Sequence, residues 1–359
     1  MEKYLRMLSK KGIPIIGTGA RTPLGLNAAA TAAAVRAGVT LMQEHPFMID
    51  KQGEKMVISL DAELPIEIGG VDRFIQLAVD PSLEALKAIL DASLSIPAIS
   101  IFVTLPEPRP GSPKNLETHF GELFHTHLSK HIEIEHLSCE SLGHAGGLAC
   151  MEKALALIDR GERQLCLIGG VESYLDPETL EWLDEIEQLH SKSTIWGFCP
   201  SEGAGFCLLA SEELTARINL HSTVEILSAA SANEVNRIKT ETVCIGDGLS
   251  EAFKKTLAVL PSGSRVDHTI CDMNGEPYRG NEYGFAVLRS GGKFGDGGDF
   301  QTPADCWGDL GAASGPLFVV LAAFAAEKAY CPGPITFLWA SSENGLRASA
   351  LLKSTMQVS

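Results

Sequence analysis

The chain has 359 residues, 45% of them hydrophobic, with a formal net charge of −16 and a pI near 5.1. That length and apolar content can bury a large core in one large or two medium domains. So acidic a surface repels nucleic acid and anionic lipid, which excludes polyanions as general partners.

In chain order, Ile13–Ile16 reads as a strand running into Gly17-Thr18-Gly19-Ala20. Ala28–Ala37 reads as a helix stopped by Gly38, and Val57–Leu60 as a strand. Apolar residues at three-to-four spacing predict a helix over Ile75–Leu94, kinked or restarted at Pro81. Ile99–Leu105 is an expected buried strand ended by the proline run Pro106–Pro113, followed by a helix over Leu116–Leu128 and a strand over Ile132–Leu137. Leu148, Met151, Leu155 and Ile158 form one helical stripe closed by Gly161, and Leu165–Gly169 is the next strand. Beyond a seam at Glu212–Arg217 come strands at Val224–Ser228, Thr269–Asp272, Gly284–Leu288, Ile335–Trp339 and Ala348–Leu352. Helices are expected over Leu249–Leu260 and Leu317–Lys328, and a turn in the glycine-rich Gly291–Asp299. This alternation predicts an α/β fold with strands buried on both faces.

No apolar run reaches the ~18 residues of a membrane span. Met1–Arg6 carries charges where a signal peptide needs its apolar core. The expected setting is the cytoplasm, with no membrane and no nucleic-acid partner. The nine cysteines are scattered, mostly in apolar runs, with no CxxC pair, as expected of reduced thiols.

Five segments, in order, resemble the β-ketoacyl synthases of the thiolase superfamily. They are Ile15–Gly25, the stretch Ser141–Gly161 with its Ala/Leu-rich helix and closing Gly161-Glu162, Leu167–Tyr174, Phe198–Gly205 and Gly308–Gly315. The resemblance implies a thiolase-like fold with two pseudo-repeated α/β halves, residues 1–212 and 213–359, layered α-β-α-β-α. It also implies that His144 stands where the family has its nucleophilic cysteine. Asn274, in Cys271–Glu276, replaces the family's first histidine, and Asp309 replaces the second. The separations, 130 residues from His144 to Asn274 and 35 on to Asp309, are compatible with the family's spacing. The family's "GFGG" gate, which supplies an oxyanion-hole amide, reads Ser341-Ser342-Glu343-Asn344-Gly345 here.

Condensation needs a thiolate, whose pKa a helix N-terminus lowers. An imidazole in that place is pushed toward its neutral form, a modest nucleophile, and an acyl-imidazole is labile to water. An ionised Asp309 would repel the enolate oxygen that the missing histidine served, and losing one such donor typically costs about 3–4 kcal/mol. His144 and Asp309 should be neighbours. The pair then reads either as a buried, mutually satisfied hydrogen bond or, with Ser141, as a hydrolase-like set. A metal held by His144, Asp309 and Glu276 lacks any motif spacing, so no cofactor and no metal is expected. Cys139 and Cys150 read as packing thiols. His119, His125, His127 and His131 read as a solvated helix face or a ligand set, and the acidic run Glu178–Glu187 as a solvated face or a contact for a basic partner.

The resemblance implies two classes of function. One is a non-catalytic dimeric partner subunit, scaffold or adaptor, pairing with itself or with a related condensing-enzyme subunit and binding acyl groups or acyl carrier protein. The other is an acyl-thioester hydrolase or acyltransferase working through His144 and Asp309.

Overall fold

The computed structural model describes residues 11–91, 96–238, 240 and 242–354. Met1–Arg6 and the end of the expected Ile75–Leu94 helix lie outside them. The strands are β1 (Ile13–Arg21), β2 (Gln43–Ile49), β3 (Lys55–Ile58), β4 (Ile99–Thr104), β5 (Ile134–Glu140), β6 (Leu165–Ser173), β7 (Glu202–Ala210), β8 (Val224–Asn233), β9 (His268–Cys271), β10 (Ile335–Ser341) and β11 (Leu346–Ser354). The helices are α1 (Ala28–Arg36), α2 (Gly70–Leu90), α3 (Leu116–Leu128), α4 (Gly146–Asp159), α5 (Pro177–Glu185), α6 (Glu212–Arg217), α7 (Asp247–Leu257), α8 (Pro277–Arg289), α9 (Ala304–Trp307) and α10 (Ser314–Glu327).

Nine strands form one mixed sheet in the order β5-β4-β6-β7-β1-β8-β11-β10-β9, while β2 and β3 make a separate ribbon. The large sheet is nearly two. Among the described residues its parts join only where Ile13 and Pro14 of β1 meet Ile226 and Glu225 of β8. Period-two alternation then sorts side chains into layers. Cys166, Ile168, Cys207 and Leu209 from one part, with Leu338, Ala340, Ala350 and Leu352 from the other, face a shared inner core around α4 and α10. Ile101, Val103, Leu167, Phe206 and Leu208 point the other way, onto α2 and α3. Phe337, Trp339 and Leu351 point onto α7 and α8. This is the layered α/β arrangement expected, with two buried helices between the strands of both halves.

One expected element is replaced, and two more take a definite form. Gly284–Leu288 is not a strand but the end of α8. Pro277 starts that helix, and its buried stripe is Arg279, Glu282, Tyr283 and Ala286. Two of those positions carry charge, so the helical period does not show as hydrophobicity. Glu212–Arg217 is a short helix, its N-terminus capped by Ser211, whose Oγ accepts from the Leu214 amide at 3.2 Å. Pro81 does not interrupt α2, which runs unbroken because its apolar face (Leu77, Ala78, Ala85, Leu86, Ile89) is fully packed.

That packing is close. A Cβ on Gly19 would sit 1.9 Å from the Pro81 carbonyl oxygen, which is backbone and cannot rotate aside. Gly19→Val is therefore expected to cost about 1–3 kcal/mol through overpacking, read as a lower urea midpoint. An unchanged midpoint would contradict the packing described.

Candidate functional site

The site forms at the C-terminal ends of β4, β6, β9 and β10. Gly143, at φ +64°, turns the chain out of β5 and into α4. A Cβ there would lie 2.7 Å from a Glu107 carboxylate oxygen, so the turn and that carboxylate fit only with glycine. His144 follows, just before α4, and is 6% exposed. Its Nε2 lies 2.8 and 3.1 Å from the two oxygens of Asp309, itself 3% exposed. Asp309 also accepts from Asn274 Nδ2 at 2.5 Å and from the Gly311 amide at 2.7 Å. The three residues placed together from sequence are thus in direct contact, and the Asp309 carboxylate is their hub.

Asp309 reaches this position because Gly170 of β6 has no side chain. A Cβ there would meet the Ala312 carbonyl oxygen at 2.2 Å. The segment that carries Asp309 therefore lies directly on the strand.

A second group, missed in the sequence, surrounds the first. Arg279 of α8 is buried, with Nη1 donating to Asp272 Oδ2 at 2.5 Å and to the Ser341 carbonyl at 2.9 Å. Its Nε is 3.5 Å from Glu276 and its Nη2 is 3.3 Å from His144 Nε2. An arginine only donates, so the His144 Nε2–H belongs to Asp309, and the guanidinium is a neighbouring charge rather than a second acceptor. Arg109 donates to Glu172 Oε1 at 2.6 Å and lies 4.0 Å over the Tyr174 ring. Glu107 accepts from the Glu343 and Asn344 amides at 3.0 and 2.7 Å. These are the amides of the loop that the resemblance sets against the family's gate. Gln188 Nε2 bridges Glu276 and Glu343, at 2.8 and 2.6 Å. The available signals were charged residues in unfavourable settings: Glu107 and Arg109 inside a proline run, and Arg279 just after Pro277.

The electrostatics follow from burial and pairing. Burial works against a charged Asp309, but His144, Arg279 and the Asn274 hydrogen bond outweigh it and hold the carboxyl well below the usual range. Burial and Arg279 work against the His144 imidazolium, while Asp309 and Asp272 favour it, and its pKa is raised. Burial raises Glu107, more than its two backbone donors lower it.

Among the described residues, no thiol near the site is lowered toward a thiolate. Burial pushes Cys139, Cys150 and Cys199 up to about 12. Ser141 donates its backbone amide to Glu117 at 2.6 Å, and among the described residues no hydrogen bond joins it to His144. Among the described residues the only convergence of three metal-ligating atoms is Glu234, Cys244 and Glu282, which excludes His144, Asp309 and Glu276. His119, His125 and His131 are exposed, and His131 lies beyond the end of α3. In the acidic run, Glu178, Glu181, Glu185 and Glu187 are exposed, but Asp184 is buried and accepts from the Lys51 amide at 2.6 Å.

A cavity of about 290 Å³ opens beside His144. Its walls include Glu107, Arg109, Glu172, Tyr174, Trp182 and Glu343.

Comparison with known proteins agrees with this fold. Residues 143–214 match the family model for the β-ketoacyl synthase N-terminal domain. The structure is similar to a type II polyketide synthase ketosynthase bound to the hexaketide, in complex with its acyl-carrier protein, at TM-score 0.80 and 16% identity, over 97% of this chain and 100% of that one. It is similar to the ishigamide ketosynthase/chain length factor at TM-score 0.70 and 17% identity, over 96% and 99%. A β-ketoacyl synthase from Burkholderia phymatum STM815 gives TM-score 0.74 and 15% identity, over 96% and 100%. A sequence comparison with curated proteins finds no match. Residues 143–214 thus resemble the β-ketoacyl synthase N-terminal domain, and the whole chain shares the fold of these ketosynthases. Among the described residues no helix is long and apolar enough to cross a membrane.

Proposed function

We propose that this chain is a non-catalytic ketosynthase-like subunit, a dimeric partner or scaffold for a second copy or for a related condensing enzyme. The observation that carries the reading is the His144–Asp309–Asn274 cluster. Its members satisfy one another, at the positions that the resemblance gives to the family's thiol and histidines. It holds an anion where the family chemistry needs a donor. The loop amides at Glu343 and Asn344 are already occupied by Glu107, so they are not open to a developing oxyanion.

Partner pairing is supported by β5, which stands at the edge of the sheet with Glu135 and His136 exposed and its other residues half-buried. Such an edge presents unpaired backbone groups to another chain, and β5 is the strand through which the family pairs its subunits. Among the structural neighbours one is a ketosynthase/chain length factor and another holds its acyl-carrier protein. Acyl-carrier binding is the natural extension.

The test has two arms. Incubation with malonyl- and acyl-carrier thioesters should give no carbon dioxide release, acyl-protein or hydrolysis above a protein-free control. Turnover that His144→Ala abolishes would replace this reading with that of a hydrolase or acyltransferase. Light scattering after gel filtration should give at least twice the chain's 38.4 kDa, or co-purification should recover a cysteine-bearing homologue. A strict monomer with no such partner would remove the subunit role.

A further inference from the structure

A second cavity, of about 240 Å³, lies at the other end of the strands from His144. It opens between α1, α10 and the first residues of β9 and β10. His268 starts β9, and Thr336 stands across from it in β10, so both belong to one face of the sheet. The walls are of two kinds. Val35, Ile270, Leu321, Ala322 and Ala325 make an apolar side. Arg36, His268, Gln301 and Thr336 make a polar one. Among the described residues no carboxylate lines this cavity, although acids outnumber bases 45 to 29 in the chain.

The polar side holds unused donors. Arg36 closes α1, and its guanidinium carbon lies 3.9 Å over the Tyr330 ring. That stacking fixes the side chain at the cavity mouth. Among the described residues the Arg36 guanidinium makes no hydrogen bond and no ion pair. Thr336 is 5% exposed, and its hydroxyl has no partner among them either. A buried hydroxyl without a partner is an exception that calls for one. Gln301 Oε1 accepts from His268 Nε2 at 3.2 Å. Burial holds the His268 pKa below its ordinary 6.5, against Gln301 and Asp299, which raise it. The imidazole is therefore neutral at pH 7, and Arg36 is the one charged wall. The C-terminal ends of α1 and α10 lie nearby and favour cations, but that effect fades within a turn, whereas a guanidinium fork bonds a carboxylate directly.

At about 240 Å³ the space falls short of the roughly 300 Å³ at which sites for drug-sized ligands begin, so the guest is small. We propose that this cavity binds a small organic monocarboxylate, its head on the Arg36 guanidinium and the Thr336 hydroxyl, its apolar body against Val35, Leu321 and Ala325. The cavity shares no wall with the one beside His144. The inference therefore goes beyond the subunit reading and does not depend on it, since a failed titration leaves the turnover and oligomer results untouched.

The experiment is calorimetric titration of the full chain at pH 7 with n-hexanoate and n-hexylammonium, which share an apolar body and differ in head charge. Hexanoate should bind, and hexylammonium should bind at least tenfold more weakly. Arg36→Gln should weaken hexanoate tenfold or more and Thr336→Val at least threefold, each checked for native circular dichroism. Lys328→Gln, which removes an exposed cation just past α10 and outside the cavity, should leave binding unchanged. Equal binding of both ions, no binding of hexanoate by the native chain, full binding by either folded cavity variant, or a loss in Lys328→Gln as large as in Arg36→Gln would overturn the proposal.

Discussion

Arg279→Met should lower the stability of this protein by about 3–5 kcal/mol, the cost of breaking a buried ion pair by removing one partner. Methionine keeps most of the volume and loses the charge and five donors. What remains is Asp272, fully buried and still accepting from the Ser341 amide at 2.7 Å, with Glu276 beside it. The loss should appear as a fall in urea midpoint at unchanged slope. Asp272→Asn in the same chain should recover a large part of it, because the amide no longer leaves a naked charge in the core. The pairwise coupling follows from the double-mutant cycle. If the single substitution costs under about 1 kcal/mol, Arg279 and Asp272 do not act as the buried ion pair described here.

His144→Ala should also be costly, toward the lower end of about 3–5 kcal/mol, because Asn274 and the Gly311 amide continue to hold Asp309. Its pH dependence has a definite sign. His144 has a raised pKa, so its stabilisation is fully present below the ordinary value of 6.5 and is lost as pH rises through the raised value. Asp309 has a lowered pKa, so its stabilisation is present above the ordinary value of 3.8 and is lost as pH falls through the lowered value. The gap between native and His144→Ala proteins should therefore be widest between those two ordinary values and should narrow in alkali. Urea midpoints of both proteins at about pH 5 and about pH 9 would measure it. A gap that stays constant or widens at high pH would mean that His144 is neutral in the fold.

The regular elements were legible because their signals are local. Ile99–Thr104 reads as a run of β-branched and aromatic residues, and α3 matches its expected bounds because Leu116, Phe120, Phe124 and Leu128 repeat every four residues. The Gly284–Leu288 error has the same origin in reverse: α8 buries Arg279 and Glu282, so its inner face does not read as apolar. The contact of His144, Asn274 and Asp309 was also legible, but only through the resemblance of five segments to one family. No spacing rule brings positions so far apart in the chain together.

By itself, then, the amino-acid sequence determined the layers: which residues turn inward in each strand and helix. Its resemblance to one family singled out His144, Asn274 and Asp309, and only the tertiary structure decided what surrounds them. Glu107, Arg109, Gln188, Arg279 and Glu343 come from four separated segments, and nothing local in any of them shows that they meet. Their charges interact only because chain crossovers carry them to one end of the sheet, away from water, where a few ångströms of separation decide whether a carboxylate meets a cation, an amide or another carboxylate.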